Sequence, residues 1–337
     1  MGKSAIEWTD DTWNPVSGCT RVSTGCDNCY AVKMTKRLEA MGQDKYSGLV
    51  NIGKGHFNGV VRCHEDALTI PLKARKPRRW FVNSMSDLFH REVPFEFVDK
   101  VFAVMALCPH HTFQVLTKRP ERMAEYLSRP PLIESEREEI AIELANAYGM
   151  ERGPVIANRL EAFQRRHATM FNMDLLHAKW PLPNVWIGTS VEDQATADER
   201  IPHLLRCPAA VRFLSCEPLL SGVDLAPFIL NPKAEHLNPC GCGDGECSTC
   251  WQSPATYNLG IHWVIVGGES GPGARPFDPQ DAISIKHQCE DANVPFFFKQ
   301  MGSKPYDKFN DQPVKILDPK GHDWVGYDAL RKREFPA

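Results

Sequence analysis

Three cysteines, Cys19, Cys26 and Cys29, stand close together in GCTRVSTGCDNC, a C-x6-C-x2-C array. Gly18, Gly25 and Asn28 lie among them, and these residue types let a backbone curl tightly. Three thiolates on one short loop can converge on one metal centre. They cannot complete a tetrahedral four-sulfur site, so either a distant ligand finishes the set or one coordination position stays open for chemistry. A second array, Cys240, Cys242, Cys247 and Cys250 in PCGCGDGECSTC, carries four cysteines with glycines to permit the turns. Four thiols form a closed ligand set, which predicts a structural metal, zinc rather than an auxiliary iron-sulfur cluster, holding an insertion together.

The chain has 337 residues and 12 cysteines, and seven of the cysteines fall in these two arrays. That clustering reads as metal binding in a reducing compartment rather than as a disulfide framework. The other five, Cys63, Cys108, Cys207, Cys216 and Cys289, sit in mostly apolar surroundings and read as buried free thiols. A net charge of -3 with 24% charged residues announces no nucleic-acid binding across the whole chain. No apolar run has the length of a signal peptide or a membrane span, and Ile6 stands where a myristoylation signal wants Ser or Thr. The expectation is a cytoplasmic protein with no membrane partner.

The elements that must position the first array follow a repeating pattern. Short apolar runs at Trp80 to Asn83, Thr112 to Leu116, Val185 to Gly188, Val211 to Ser215, His262 to Val266 and Pro295 to Phe298 are each followed by a turn and an amphipathic stretch. Runs this short and this continuously apolar predict buried parallel strands. A helix is expected over Val32 to Met41 with Gly42 as its stop, another over Pro94 to Leu107, and a third capped by Asp278 with Pro279 at its first position. With a first strand before the cysteine loop, about seven β/α units result. The predicted fold is α/β, a full or partial TIM-type (β/α) barrel forming a single domain over 1–337. Two insertions interrupt it: an amphipathic helical stretch at 121–182, suited to a lid or a partner surface, and the cysteine-rich segment at 231–258.

In such barrels the functional groups lie just past the C-terminal ends of the strands. The candidates are Asn83, Ser84 and Asp87; Thr117, Lys118 and Arg119; Thr189, Ser190 and Glu192; Glu217; Gly267, Gly268, Glu269 and Ser270; and Lys299 with Gln300. Charged groups of both signs directly follow strands, as a zwitterionic ligand would require. No G-x-G-x-x-G passes through Gly267 to Gly273, so a dinucleotide site is disfavoured.

Trp13-Asn14-Pro15, Gly18-Cys19, Ser23, Gly25-Cys26 and Cys29-Tyr30-Ala31 resemble the signature of the phage Gp37/Gp68 family of three-Cys-motif proteins, which is related to radical S-adenosylmethionine (SAM) enzymes. The resemblance implies a partial barrel of the radical SAM kind and a [4Fe-4S] cluster on Cys19, Cys26 and Cys29, with SAM on the fourth iron. It implies reductive cleavage of SAM and hydrogen-atom abstraction from a substrate, with a flavodoxin- or ferredoxin-type protein as reductant. Asn83, Lys118, Glu217, Gly267, Gly268 and Glu269 are the positions expected to hold SAM; the Gly-Gly-Glu triplet resembles the radical SAM motif that receives the SAM amino group. Two departures stand out. Radical SAM enzymes usually space their cysteines C-x3-C-x2-C with an aromatic before the last, where this chain has Asn28, so that Tyr30 would take over the packing role. The triplet also follows about the sixth strand rather than the second. The phage association suggests a modified nucleotide or DNA base as substrate, for which Arg75, Arg78, Arg79, Lys118 and Arg119 would suit phosphate contacts. A rival from another class is a non-catalytic zinc protein that binds nucleic acid or a partner chain.

Overall fold

The computed structural model describes residues 6–51, 53, 55–129, 181–229 and 260–336. The four cysteines at 240 to 250 and residues 130–180 of the 121–182 stretch lie outside the described residues.

Seven parallel strands form one sheet: β1 (Asp11–Trp13), β2 (Arg79–Val82), β3 (Thr112–Thr117), β4 (Val185–Ser190), β5 (Val211–Cys216), β6 (Trp263–Gly267) and β7 (Phe296–Gln300), in chain order from edge to edge. Among the described residues the helices longer than one turn are α1 (Tyr30–Ala40), α2 (Phe95–Ala106), α3 (Pro120–Leu127), α4 (Gln194–Arg206) and α5 (Pro279–Asp291). All six apolar runs became strands because each offers β-branched or aromatic residues to both faces, which only a sheet covered on both sides buries.

Each crossover advances one strand in the same direction. Right-handed crossovers therefore set α2, α3, α4 and α5 on one face, while α1 packs with Tyr46, Leu49 and Met85 of the neighbouring loops. That outer face carries Val82, Val115, Leu214, Val264 and Phe298, packed with Val98, Ile201 and Ile285 of the helices in the main core. Among the described residues no helix covers the other face, which buries itself by curling. Phe81 on β2 and Phe213 on β5 are three strands apart, about 14 Å in a flat sheet. The indole of Trp8 nevertheless packs against both, with centroids 4.6 and 6.3 Å away, and against Trp263 of β6 at 6.3 Å. Trp8, Phe81, Phe213, Trp263, Ile265 and Phe297 form a separate apolar cluster on this concave face. The result is a curled half-barrel with β1 and β7 as its edges.

The gap between those edges is bridged at both ends. At the N-terminal end of the strands, residues 332–334 run antiparallel to β7, with Phe298 N donating to Lys332 O at 2.9 Å and Glu334 N to Phe296 O at 3.1 Å. Arg333 then pairs with Glu7 at 3.0 Å, and Arg79 stacks over Phe335 at 4.5 Å. At the opposite end, Asn28 and Lys33 donate to the carbonyls of Gly273 and Pro272 at 2.9 and 3.1 Å, so the β6–α5 loop reaches the start of α1.

Helix ends follow the sequence signals. Gly42 takes a φ of +75° after α1, Pro94 precedes α2, and Asp278 caps α5 by accepting from Gln280 N at 3.0 Å with Pro279 at the first position. No described helix is long and apolar enough to cross a membrane.

Candidate functional site

The loop after β1 climbs from Trp13 to the start of α1 and carries all three cysteines of the first array. Asn14 fixes its base: its Oδ1 accepts from Met85 N at 3.0 Å and Ser84 Oγ at 3.2 Å, tying β1 to the end of β2. Gly18 has a φ of +85°, and a Cβ there would stand 2.0 Å from Val60 O, so the glycine is required on both counts. Gly25 is needed for a different reason. Its φ is not in the left-handed region, but a Cβ would meet Glu192 Oε1 at 2.4 Å.

Cys29 is the residue that caps α1. Burial raises its thiol pKa, against the opposing pull of the backbone N–H groups of Ala31 and Val32 and of the Lys118 ammonium. Burial likewise pushes the Cys19 thiol up to about 12, with the Asp87 carboxylate adding to the rise and Arg119 opposing it. Arg119 Nη1 lies 3.7 Å from Cys19 Sγ. The same nitrogen donates to Asp87 Oδ2 at 2.8 Å, while Nη2 donates to Thr20 O at 3.1 Å and Thr20 Oγ1 at 2.7 Å. Thr20 Oγ1 also meets His90 Nε2 at 2.9 Å, and burial, reinforced by Arg119, pushes His90 down to about 4.

Cys19, Cys26 and Cys29 line one cavity of about 300 Å³ that opens between the loop and the concave face of the sheet. Asn83, Lys118, Glu217, Gly268 and Glu269, five of the six positions expected to hold SAM, line it too. Gly267 does not. It sits where the β6–β7 register shifts, and its carbonyl accepts from Leu219 N at 3.0 Å. Gly268 is a close-approach glycine, since a Cβ there would meet Met301 O at 2.3 Å.

The charged groups at the strand ends are paired with one another. Glu192, fully buried, faces both Lys118 and Arg200, with Arg200 Nη1 at 3.0 Å from Oε2. Burial works to raise its carboxyl, and the two cations overcome this and hold it below the usual range. Glu217 pairs with Lys299. Glu269 accepts from Arg275 N at 2.9 Å, from the Arg275 guanidinium, and from Asn28 Nδ2 at 3.0 Å. These bonds hold its carboxyl below the usual range despite burial. Asn28 therefore does polar work, linking the cysteine loop to the end of β6, and Tyr30 is a polar link as well, its hydroxyl donating to Ser84 O at 2.5 Å.

Sequence reasoning grouped five basic residues as phosphate contacts, and the structure separates them. Arg79 opens β2 and pairs with Asp10, and Arg78 pairs with Asp11, at the end of the strands opposite the cysteines. Lys118 and Arg119 are at the cysteine end, each already facing a carboxylate. Arg275 and the aromatic lining of Trp8 and Phe81 were not anticipated. Arg275 follows a turn rather than a strand, and Trp8 precedes the first strand, so neither carries a positional signal.

Among the described residues no group of three or more His, Cys, Asp or Glu side chains is gathered tightly enough to hold a single ion. No curated protein and no solved structure matches the chain. One family model, described as a protein of unknown function (DUF5131), matches residues 3–325, and the chain belongs to that family.

Proposed function

We propose that the protein is a radical SAM-like iron-sulfur enzyme built on a partial TIM-type barrel. The observation that carries the reading is the convergence of three cysteines from one loop on a cavity shared with polar groups from the ends of six strands. Three cysteines lining one cavity are the donor set that a [4Fe-4S] cluster takes. A [4Fe-4S] cluster places its protein thiolates on separate irons, so its ligands stand farther apart than those of one tetrahedral ion. Burial raises the pKa of two of the three thiols, so they are neutral without a metal, and a cationic metal centre would supply the positive charge that lets them ionise.

Cys19, Cys26 and Cys29 would hold the cluster, which when bound supplies the electron that cleaves SAM. The chain's own part is positioning. Asp87 and Thr20 fix Arg119 beside Cys19, Glu192 fixes Lys118 beneath the loop, and Asn28 ties the loop to Glu269. The aromatic floor of the half-barrel excludes water from below. Glu217, Lys118 and Glu269 are the polar contacts for SAM, and each must exchange part of an existing ion pair for the ligand. A reductant protein and the zinc quartet at Cys240, Cys242, Cys247 and Cys250 belong to the same proposal.

Anaerobic reconstitution with iron and sulfide, then addition of SAM and a reductant, tests it. A brown protein that releases 5′-deoxyadenosine, detected by mass spectrometry, and loses both properties on Cys26→Ala is the expected result. A colourless protein carrying zinc and releasing no 5′-deoxyadenosine would sink the proposal.

A further inference from the structure

The lower part of the cavity has a chemical character of its own. Its floor is apolar, with Trp8, Phe81 and Leu116 among its walls. Above the floor stand three polar side chains. Asn83 is 2% exposed and spends its Oδ1 on Val16 N at 3.4 Å, and its Nδ2 has no partner. Ser190 and Ser215 sit opposite each other in register on β4 and β5, and among the described residues their hydroxyls bond to nothing. A buried donor left without a partner costs stability, and a site that binds a polar ligand accounts for keeping one.

The charges around this space decide what kind of polar ligand it takes. Each arginine and lysine on the cavity wall already faces a carboxylate: Arg21 with Asp27, Lys118 with Glu192, Arg119 with Asp87, and Lys299 with Glu217. Glu269 is satisfied by Arg275 and Asn28. Among the described residues of the wall no cation is in surplus for a phosphate, and a buried phosphate without one is strongly disfavoured.

We infer that this inner cavity receives an uncharged heteroaromatic ring of the nucleobase kind, lying on the Trp8–Phe81 floor with its polar edge toward Asn83, Ser190 and Ser215, and does not receive a phosphorylated nucleotide. Aromatic floors take ring faces, and a donor amide with two hydroxyls matches the acceptor-rich edge of such a ring. Calling the ring a substrate rests on the proposed radical chemistry; the binding site itself does not.

Isothermal titration of the anaerobically reconstituted full chain with cytosine, thymine and hypoxanthine, and with their 5′-monophosphates, tests the inference. At least one base should bind, with its monophosphate weaker by about tenfold or more. Asn83→Asp keeps the acceptor and the left-handed backbone but removes the free donor, and Ser215→Ala is nearly isosteric. Each should weaken binding by roughly three- to tenfold with unchanged circular dichroism. Binding should persist when SAM is saturating.

Four results would each overturn the inference: no base binds, a monophosphate binds as tightly as its base, the folded Ser215→Ala protein binds like wild type, or SAM competes fully, which would make the cavity the SAM adenine pocket. Tight binding of phenylalanine or tryptophan in place of a base would overturn it as well. The titration reads neither electrons nor turnover. A chain that binds a base without cleaving SAM sinks only the proposed enzyme, and one that cleaves SAM but takes no base sinks only this inference.

Discussion

Gly25 in the cysteine loop presses against Glu192 past the end of β4, so closely that a Cβ would stand 2.4 Å from Oε1 and 2.5 Å from Cγ. Glu192 cannot retreat, because Arg200 and Lys118 hold it from two sides and no part of it reaches solvent. Gly25→Ala should therefore lift the loop rather than move the carboxylate. The expected cost is about 1–3 kcal/mol by thermal unfolding, accompanied by a fall in iron bound after reconstitution. Unchanged iron content would show that the loop adapts without its fit to Glu192.

Removing the carboxylate is a harsher change. Glu192→Ala leaves Arg200, itself 2% exposed, without its counter-charge and frees Lys118. Loss of one partner from a buried pair costs roughly 3–5 kcal/mol. A denaturant titration should show that loss, with Glu192→Gln intermediate because an amide can still accept from Arg200.

His90 gives the protein an acid limit. Its pKa is pushed down from 6.5 to about 4 by burial and by Arg119, so the folded state binds a proton less readily than the unfolded chain. Its contribution to stability is complete above 6.5 and is lost as pH falls toward 4. His90→Gln should flatten this part of the stability profile and keep a hydrogen bond to Thr20. A wild-type melting temperature that does not fall between pH 6.5 and 4 would contradict the assignment.

The metal-free protein should also weaken at alkaline pH. Cys19 rises from an ordinary 9.0 to about 12, as do the buried thiols of Cys108, Cys207 and Cys289. A raised folded pKa means that stability is fully present below 9 and drains away as pH climbs toward 12. Metal binding at Cys19 removes that site from the balance, so the reconstituted protein should hold its melting temperature further into alkali. Arg119→Gln should slow alkylation of Cys19 in the metal-free protein, since the guanidinium is the group opposing the rise.

Phe335→Ala should unseal the base of the half-barrel. Phe335 lies tilted against Trp263 at 5.3 Å and edge-on to Phe297 at 5.4 Å, and Trp263 Nε1 donates to Glu334 O at 2.8 Å. Its side chain is only partly buried, so the expected loss is about 1–3 kcal/mol, below the range for a fully buried phenylalanine. Fluorescence of the tryptophans should shift to the red as water reaches Trp263.

The strands were legible in the sequence because parallel strands covered on both faces need continuous apolar runs, and helices interrupt such runs with a different period. The candidate positions after each strand were legible for a related reason: in a parallel sheet all C-terminal ends lie on one side, so order along the chain translates directly into nearness in space. Asn83, Lys118, Glu217 and Glu269 come together in this way although 186 residues separate the first from the last. Pairing carries no such signal. That Lys118 faces Glu192, Lys299 faces Glu217 and Arg275 faces Glu269 depends on side-chain reach across neighbouring strands and loops. The same holds for Arg78 and Arg79, which read as part of one basic run and fold to the far end of the strands from Lys118 and Arg119. Residue types and spacing in the chain thus fixed which groups sit at the cysteine end, because strand direction is set by connectivity. Only the curl of the sheet decided that Trp8 would floor the cavity and that its charged walls would neutralise one another, because curvature is what brings side chains of non-adjacent strands into contact.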